Sequence, residues 1–116
     1  MKLDRFKKGF SGMEKDLLNI IDHFGVINQQ RKLQEEVFEL QEAITIHELK
    51  KSVEYEIPLT EIIGTKEHIT EEIADTMILL KQFQHYYKIN REDIRKIMKN
   101  KINRTLERIE SGHYEK

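Results

Sequence analysis

Apolar residues recur at steps of three and four along most of this chain, and very few residues interrupt that spacing. The 116 residues include one proline and five glycines. Steps of three and four place side chains on one face of an α-helix, whereas a half-buried strand would need strict alternation. The sequence therefore predicts an all-α fold, a bundle of four to five helices.

The apolar spacing divides the chain into four helical segments. They run from about Gly12 to His23, Ile27 to Ser52, Lys66 to Tyr87 and Asn90 to Gly112. Gly25 is the expected stop after the first segment, and Asn90 is the expected N-cap of the fourth. Pro58 and Gly64 interrupt the connection between the second and third segments. A connection this long in a compact domain is often functional, so we expect it to be partly ordered.

Each segment carries an apolar stripe that is expected to face the core. In chain order the stripes contain Met13, Leu17, Ile20, Ile21 and Phe24, then Leu33, Val37, Leu40 and Ile44, then Ile69, Ile73, Met77 and Leu80, and finally Ile94, Met98, Ile102, Leu106 and Ile109. One domain of this length is small for four helices with charged walls. We therefore expect a core completed by oligomerisation, in a homodimer or a homotetramer.

Composition excludes several classes of function. With 20 Lys+Arg against 21 Asp+Glu, the overall charge gives no reason to expect nucleic acid or a membrane surface as a partner. Cysteine is absent, which excludes a disulfide framework and a thiolate zinc site. The first residues lack the apolar run of a signal peptide, and no stretch approaches the roughly 20 apolar residues of a membrane span. A cytoplasmic location is expected.

Two acidic clusters with the same residue spacing occur in the second and third segments. They are Glu35, Glu36 and Glu39 in QEEVFEL, and Glu71, Glu72 and Asp75 in TEEIAD. A spacing of three puts two carboxylates on one helix face, and on a helical wheel each pair lies beside the apolar stripe with the same handedness. Two such faces would form a cage of four carboxylates, which is unfavourable unless a cation holds it. Oxygen ligands favour Mg²⁺, with Mn²⁺ as a possible substitute.

The fourth segment repeats this arrangement with the opposite charge. Lys101, Arg104 and Arg108 lie on the side of the apolar stripe where the acids lie in the other two segments. A basic face so placed could approach the acidic cage. Its natural ligand would be a polyphosphate, because a cation and basic side chains can share the phosphate oxygens.

The sequence EEVFE followed by EEIAD resembles the EExxE and ExxD motifs of the MazG-like nucleoside triphosphate pyrophosphohydrolases, in the all-α NTP pyrophosphatase superfamily. The resemblance spans about residues 29–108. It implies Mg²⁺-dependent cleavage of an NTP or dNTP between the α and β phosphates, giving a monophosphate and pyrophosphate. Between Glu39 and Glu72 lie 32 residues, more than is usual in the family. The preferred substrate is therefore open, with dUTP, a damaged nucleotide and phosphoribosyl-ATP as alternatives.

The resemblance also implies a role for individual residues. The metal ligands would be Glu36, Glu39, Glu72 and Asp75. Either Glu35 or Glu39 would accept the proton of the attacking water. The substrate contacts would be Lys101, Arg104 and Arg108 in the last helix, with Gln29 and Lys32 on nearly the same face as Glu36.

Two alternative functions, from other classes of protein, remain open. The chain could be a helical oligomerisation or regulatory module whose acidic residues only form a hydrated surface. Such a module would show no specific stabilisation by a metal. A di-iron carboxylate bundle would need two Glu-x-x-His motifs from the core. Only Glu110 with His113 has that spacing, at the end of the chain.

Overall fold

The computed structural model describes residues 10–52 and 63–112, with side chains from Met13 onward. Four helices account for nearly all of these residues, and no strand occurs among them. They are α1 (Phe10–Phe24), α2 (Val26–Ser52), α3 (Lys66–Tyr86) and α4 (Arg91–Glu110). The prediction of an all-α fold is confirmed. Most of the connection with Pro58, and His113 near the end, lie outside the described residues.

The chain divides into two compact units, Met1–Tyr86 and Tyr87–Lys116. The first unit contains α1, α2 and α3, and within it α3 packs against both of the other helices. The second unit contains α4. None of the described helices combines the length and the apolar character needed to cross a bilayer.

A single residue separates α1 from α2. Gly25 adopts a φ of 90°, and its N–H donates to the Ile21 carbonyl at 2.8 Å. Its own carbonyl accepts from the N–H of Gln29 at 3.1 Å, so the next helix begins at once. A left-handed residue at this position is the common way to end a helix, and glycine adopts it without steric cost. The stop predicted at Gly25 is confirmed.

Helices α2 and α3 lie antiparallel, and three contacts define their register. From the N-terminus to the C-terminus of α2, these contacts join Gln29 with Gln82, Glu36 with Glu72, and His47 with Gly64. The residue number of the contacted partner decreases as the residue number in α2 increases, as expected for an antiparallel pair. We call this line of contacts the α2–α3 seam.

The seam is unusually polar for a helix interface. Among the described residues of the first unit, the buried side chains are Leu17, Ile21, Ala43 and Leu79 together with Gln29, Glu36, Glu72 and Gln82. Gln29 Nε2 donates to Gln82 Oε1 at 2.8 Å, so each buried amide satisfies part of the other. The two glutamates have no such mutual arrangement, because both are acceptors when ionised.

The predicted apolar stripes are only partly correct. Leu17 and Ile21 are buried as expected, but the structure exposes Ile20, Phe24, Val37, Ile44, Ile73, Met77 and Leu80. The buried residues of α2 are Gln29, Glu36 and Ala43, spaced two turns apart on one line. That line lies about 70° from the centre of the apolar stripe on the helical wheel. The apolar stripe of α2 is therefore displaced from the seam towards an uncovered side of this helix.

Both ends of α4 have the capping residues that the sequence predicts. The Asn90 side chain accepts from the N–H of Glu92 at 2.8 Å, which confirms the predicted N-cap. At the other end the N–H of Gly112 donates to the Ile109 carbonyl at 3.1 Å, and Gly112 has a φ of 75°. The helix ends there as expected.

Replacing Gly64 by alanine should destabilise the protein more than the same change at Gly25. Both glycines have positive φ, so each variant loses about 1–2 kcal/mol from the left-handed conformation. At Gly64 an added Cβ would also lie 2.8 Å from Ile46 Cγ2 and 3.0 Å from the backbone N of His47. Such overpacking costs about 1–3 kcal/mol more.

Among the described residues, a Cβ at Gly25 would meet nothing within 4 Å, which makes Gly25→Ala the matched control. Urea denaturation of both variants measures the difference in unfolding free energy directly. Equal losses in the two variants would contradict the close approach of Gly64 to α2.

Candidate metal centre

Three glutamates from α2 and α3 converge at the middle of the seam. One carboxylate oxygen from each of Glu36, Glu39 and Glu72 lies within 4.8 Å of the other two. The spacing of three places Glu36 and Glu39 on one face of α2, and the antiparallel packing brings Glu72 opposite them. The prediction that the two acidic clusters meet is correct for these three residues.

Two of the three carboxylates are almost completely removed from water. The exposed fraction is 6% for Glu36 and 8% for Glu72, whereas Glu39 is exposed. In each buried carboxylate only one oxygen has a partner. Glu36 Oε1 lies 3.2 Å from Lys32 Nζ, and Glu72 Oε1 lies 3.3 Å from His68 Nε2.

The remaining oxygen of each buried carboxylate is an acceptor without a donor. Glu36 Oε2 and Glu72 Oε2 are buried and have no hydrogen-bond partner among the described residues. Leaving a buried polar group unpaired costs about 1–3 kcal/mol, and more when the group is charged. Folded proteins rarely keep such groups unless ordered water, a ligand or an ion satisfies them. These oxygens and the neighbouring Glu39 therefore have the donor chemistry of a site for a hard cation.

Burial and neighbouring negative charge both act on the pKa of Glu72. Burial raises the pKa of the Glu72 carboxyl, and the charges of Glu39 and Glu36 raise it further. On the other helix, the hydrogen bond to Glu36 raises the pKa of the Lys32 ammonium, and the charge of Glu36 adds to the effect. The cluster thus favours additional positive charge, whether from a proton or from a cation.

The three converging oxygens are close enough for a small divalent cation to gather them by side-chain rotation. Mg²⁺ binds oxygen at about 2.0–2.1 Å, so two oxygens on one ion lie no more than about 4.2 Å apart. The three oxygens here lie within 4.8 Å of one another. Because neighbouring oxygens in octahedral coordination at this bond length lie about 3 Å apart, the three carboxylates would have to draw closer together to share one ion.

Two other predicted acids lie beside the cluster. Asp75 is exposed and does not contribute to the three converging oxygens, but its charge helps to raise the pKa of Glu72. Glu35 is also exposed, and its Oε2 lies 3.9 Å from Lys32 Nζ. The fourth metal ligand and the proton acceptor therefore remain predictions.

The residues predicted to contact substrate have different surroundings. Gln29 is buried and donates its side-chain amide to Gln82, whereas Lys32 is half-exposed beside Glu36. Lys101, Arg104 and Arg108 lie on α4, which belongs to the second unit. Contact of any of them with a substrate stays a prediction.

Sequence reasoning missed His68 as part of the site. The four-residue spacing of His68 and Glu72 repeats that of Lys32 and Glu36, and both donors reach Oε1 of their glutamate. Residues four apart on a helix are neighbours, so this repeated spacing was a readable signal. The signal pairs a donor with a glutamate four residues later, whereas a metal-binding histidine motif pairs two histidines.

Comparison of the chain with protein-family models, curated proteins and solved structures finds no significant match. Any conclusion about function therefore depends on the residues and geometry of the α2–α3 seam.

Glu72→Gln should stabilise the metal-free protein at neutral pH. Because the pKa of Glu72 is raised in the fold, the folded state binds its proton more tightly than the unfolded state does. The stability that this proton contributes is present below the usual pKa of glutamate and is lost as the pH rises through the raised pKa. A glutamine cannot ionise, so the variant avoids this loss.

The measurement is the unfolding free energy of both proteins in EDTA, from about pH 5 to about pH 8, where the advantage of the variant should grow with pH. Glu71→Gln removes an exposed carboxylate from the neighbouring position and serves as the control. An advantage that is constant across this range would contradict the raised pKa.

Proposed function

We propose that this protein is a Mg²⁺-dependent nucleoside triphosphate pyrophosphohydrolase, which cleaves an NTP or dNTP between the α and β phosphates. One observation carries the proposal: two buried glutamates from different helices each keep an unpaired oxygen beside a third carboxylate. Such an arrangement is costly in the empty protein and favourable around a divalent cation. The similarity of EEVFE and EEIAD to the MazG-like motifs supports a phosphate substrate for that cation.

The donor set favours magnesium or manganese over softer metals. Glu36, Glu39 and Glu72 offer only carboxylate oxygens, which suit hard cations. His68 lies 3.3 Å from Glu72 and is engaged there through Nε2. Mn²⁺ should substitute for Mg²⁺, because it prefers the same oxygen ligands.

Each residue has a separable task in the proposed reaction. Glu36, Glu39 and Glu72 would hold the cation, with Asp75 completing the set from the edge of the cluster. When bound, the cation would neutralise phosphate charge and orient the attacking water. Glu39 or Glu35 would accept the proton of that water. The basic face of α4, with Lys101, Arg104 and Arg108, would stabilise the charge that develops on the leaving pyrophosphate.

A non-catalytic oligomerisation or regulatory module is the second candidate. A groove on the outer face of α2 favours self-association, and its lining is Gln30, Leu33, Gln34, Val37, Phe38 and Gln41. None of these side chains is charged, in a chain of which 35% is charged. Depletion of charge is typical of the buried centre of protein interfaces. We propose that a second copy covers this face, and the enzyme proposal is compatible with such a dimer.

Glu36→Gln should abolish metal-dependent pyrophosphate release. The substitution keeps the shape of the side chain but removes the charge and one acceptor oxygen from the buried ligand. We expect the rate to fall by more than the roughly 10–100-fold that follows the loss of an outer-shell partner. Release would be assayed on canonical and modified nucleoside triphosphates with Mg²⁺ or Mn²⁺. Glu42→Gln, an exposed position on the same helix, should retain the wild-type rate.

The same proteins distinguish the two candidates without a nucleotide. Mg²⁺ or Mn²⁺ should raise the melting temperature of the wild-type protein beyond the effect of an ionic-strength control, and not that of Glu36→Gln. Absence of both stabilisation and pyrophosphate release would reject the enzyme and favour the module.

Val37→Lys should weaken self-association. The introduced ammonium would lie in the uncharged groove of α2, where an opposing copy would have to desolvate it. Light scattering coupled to size-exclusion chromatography measures the mass of each variant. Glu42→Lys, on the same helix outside the groove, should leave the mass unchanged. A wild-type protein that is monomeric at all concentrations would refute the proposed dimer.

A further inference from the structure

A chain of polar contacts links the C-terminal part of α2 to the metal centre through His68. His47 Nδ1 lies 2.6 Å from the Gly64 carbonyl oxygen. The Gly64 N–H donates to His68 Nδ1 over 3.5 Å, and His68 Nε2 lies 3.3 Å from Glu72 Oε1. Both polar atoms of the Gly64 peptide groups are thus used to connect the two histidines.

The chemistry of these groups fixes the direction of every hydrogen bond. A carbonyl oxygen can only accept, so His47 carries a proton on Nδ1. A backbone N–H can only donate, so His68 accepts on Nδ1 and its neutral ring carries the proton on Nε2. Glu72 Oε1 lies 3.3 Å from this protonated nitrogen. The tautomer of His68 is therefore set by Gly64, two residues before α3 begins.

Gly64 can take this position because it has no side chain. Its φ is 86°, and an added Cβ would approach Ile46 Cγ2 and the backbone N of His47. His68 is also held at its own backbone, since its N–H donates to Thr65 Oγ1 at 3.1 Å. The histidine ring is thus constrained both from its main chain and through Nδ1.

The corresponding donor on α2 is held much less firmly. Lys32 reaches Glu36 Oε1 at 3.2 Å, but its side chain is 52% exposed and its ammonium is shared with Glu35. The His68 side chain is 20% exposed and is fixed at both ring nitrogens. Of the two donors, only His68 has the rigid attachment expected of a group that orients a ligand.

We infer that His68 is a positioning residue for the metal centre: by occupying Oε1 of Glu72 it directs Oε2 towards the cation. This inference rests on the proposed metal-dependent function. It assigns to Gly64 and His47 the task of holding the His68 ring in the required tautomer. Outer-shell hydrogen bonds of this kind typically change metal affinity by roughly 10–100-fold when they are removed.

The test is the affinity for Mn²⁺, measured without nucleotide by electron paramagnetic resonance of the free ion. His68→Ala and His68→Asn should weaken binding by roughly 10–100-fold. His68→Gln should retain most of the affinity, because its amide nitrogen can extend to the place of Nε2 and donate to Glu72. The shorter asparagine amide falls at the place of Nδ1, so it cannot do so.

His85→Ala is the matched control. His85 lies on the same helix with a similar exposure of 22%, and its Nδ1 is 3.5 Å from Glu14, far along α3 from the cluster. We expect its Mn²⁺ affinity to equal that of the wild type. Circular dichroism of each variant establishes that α-helical content is retained.

The outcomes separate this inference from the proposed function. A wild-type protein that binds no Mn²⁺ would overturn the metal-dependent function and the inference with it. Mn²⁺ binding that is equally strong in wild type, His68→Ala and His68→Asn would overturn the inference alone. So would an equal loss in His68→Gln and His68→Asn, because a hydrogen-bonding role requires the longer amide to rescue binding. Rescue by glutamine alone would establish the positioning role.

Discussion

The structure depends on the burial of two like-charged groups, Glu36 and Glu72, in the seam between α2 and α3. Ionised carboxylates lose hydration on burial, and their mutual repulsion adds to that cost. Among the described residues Lys32 and His68 offset it, each through one oxygen. A seam built for stability alone would place apolar residues at these two positions, since well-packed apolar groups usually equal or exceed buried charges in stability. A cost of this kind is what a cation-binding site would impose, so it supports the proposed metal centre.

The rest of the seam stabilises the helices on both sides of this unfavourable centre. Towards the N-terminus of α2, the Gln29–Gln82 hydrogen bond joins the helices by neutral groups that satisfy each other. On the other side, the Gly64 backbone packs on Ile46 and His47. The Gln29–Gln82 hydrogen bond and the contact of Gly64 with α2 lie on either side of Glu36 and Glu72. Together they keep these two carboxylates close despite their repulsion. Such preorganisation is what a cation site requires, because the ligands need not be gathered when the ion binds.

The features that were predictable from sequence are those controlled by neighbouring residues. The end of α1 and the start of α4 follow from the stop at Gly25 and the cap at Asn90, and all predicted helix ends lie within two residues of the observed ones. The convergence of Glu36, Glu39 and Glu72 followed from two equal spacings on two amphipathic helices. The burial of Gln29 and the exposure of Val37 could not be predicted in this way. A helical wheel shows which face of a helix is apolar but not which face its partner covers. Whether the basic residues of α4 reach the acids depends on contacts between distant parts of the chain, which local patterns do not specify.

Proton and cation compete for the same oxygens in this seam. Burial and the charges of Glu39 and Glu36 raise the pKa of Glu72, so in the absence of metal a proton partly relieves the repulsion. A divalent cation relieves it more completely, because it interacts with all three carboxylates at once. Metal binding at such a site must release any proton held by Glu72, and its apparent affinity must increase with pH until that carboxylate is fully ionised. Under the proposed function, the same unpaired charge that limits the stability of the empty seam would supply free energy for binding the ion.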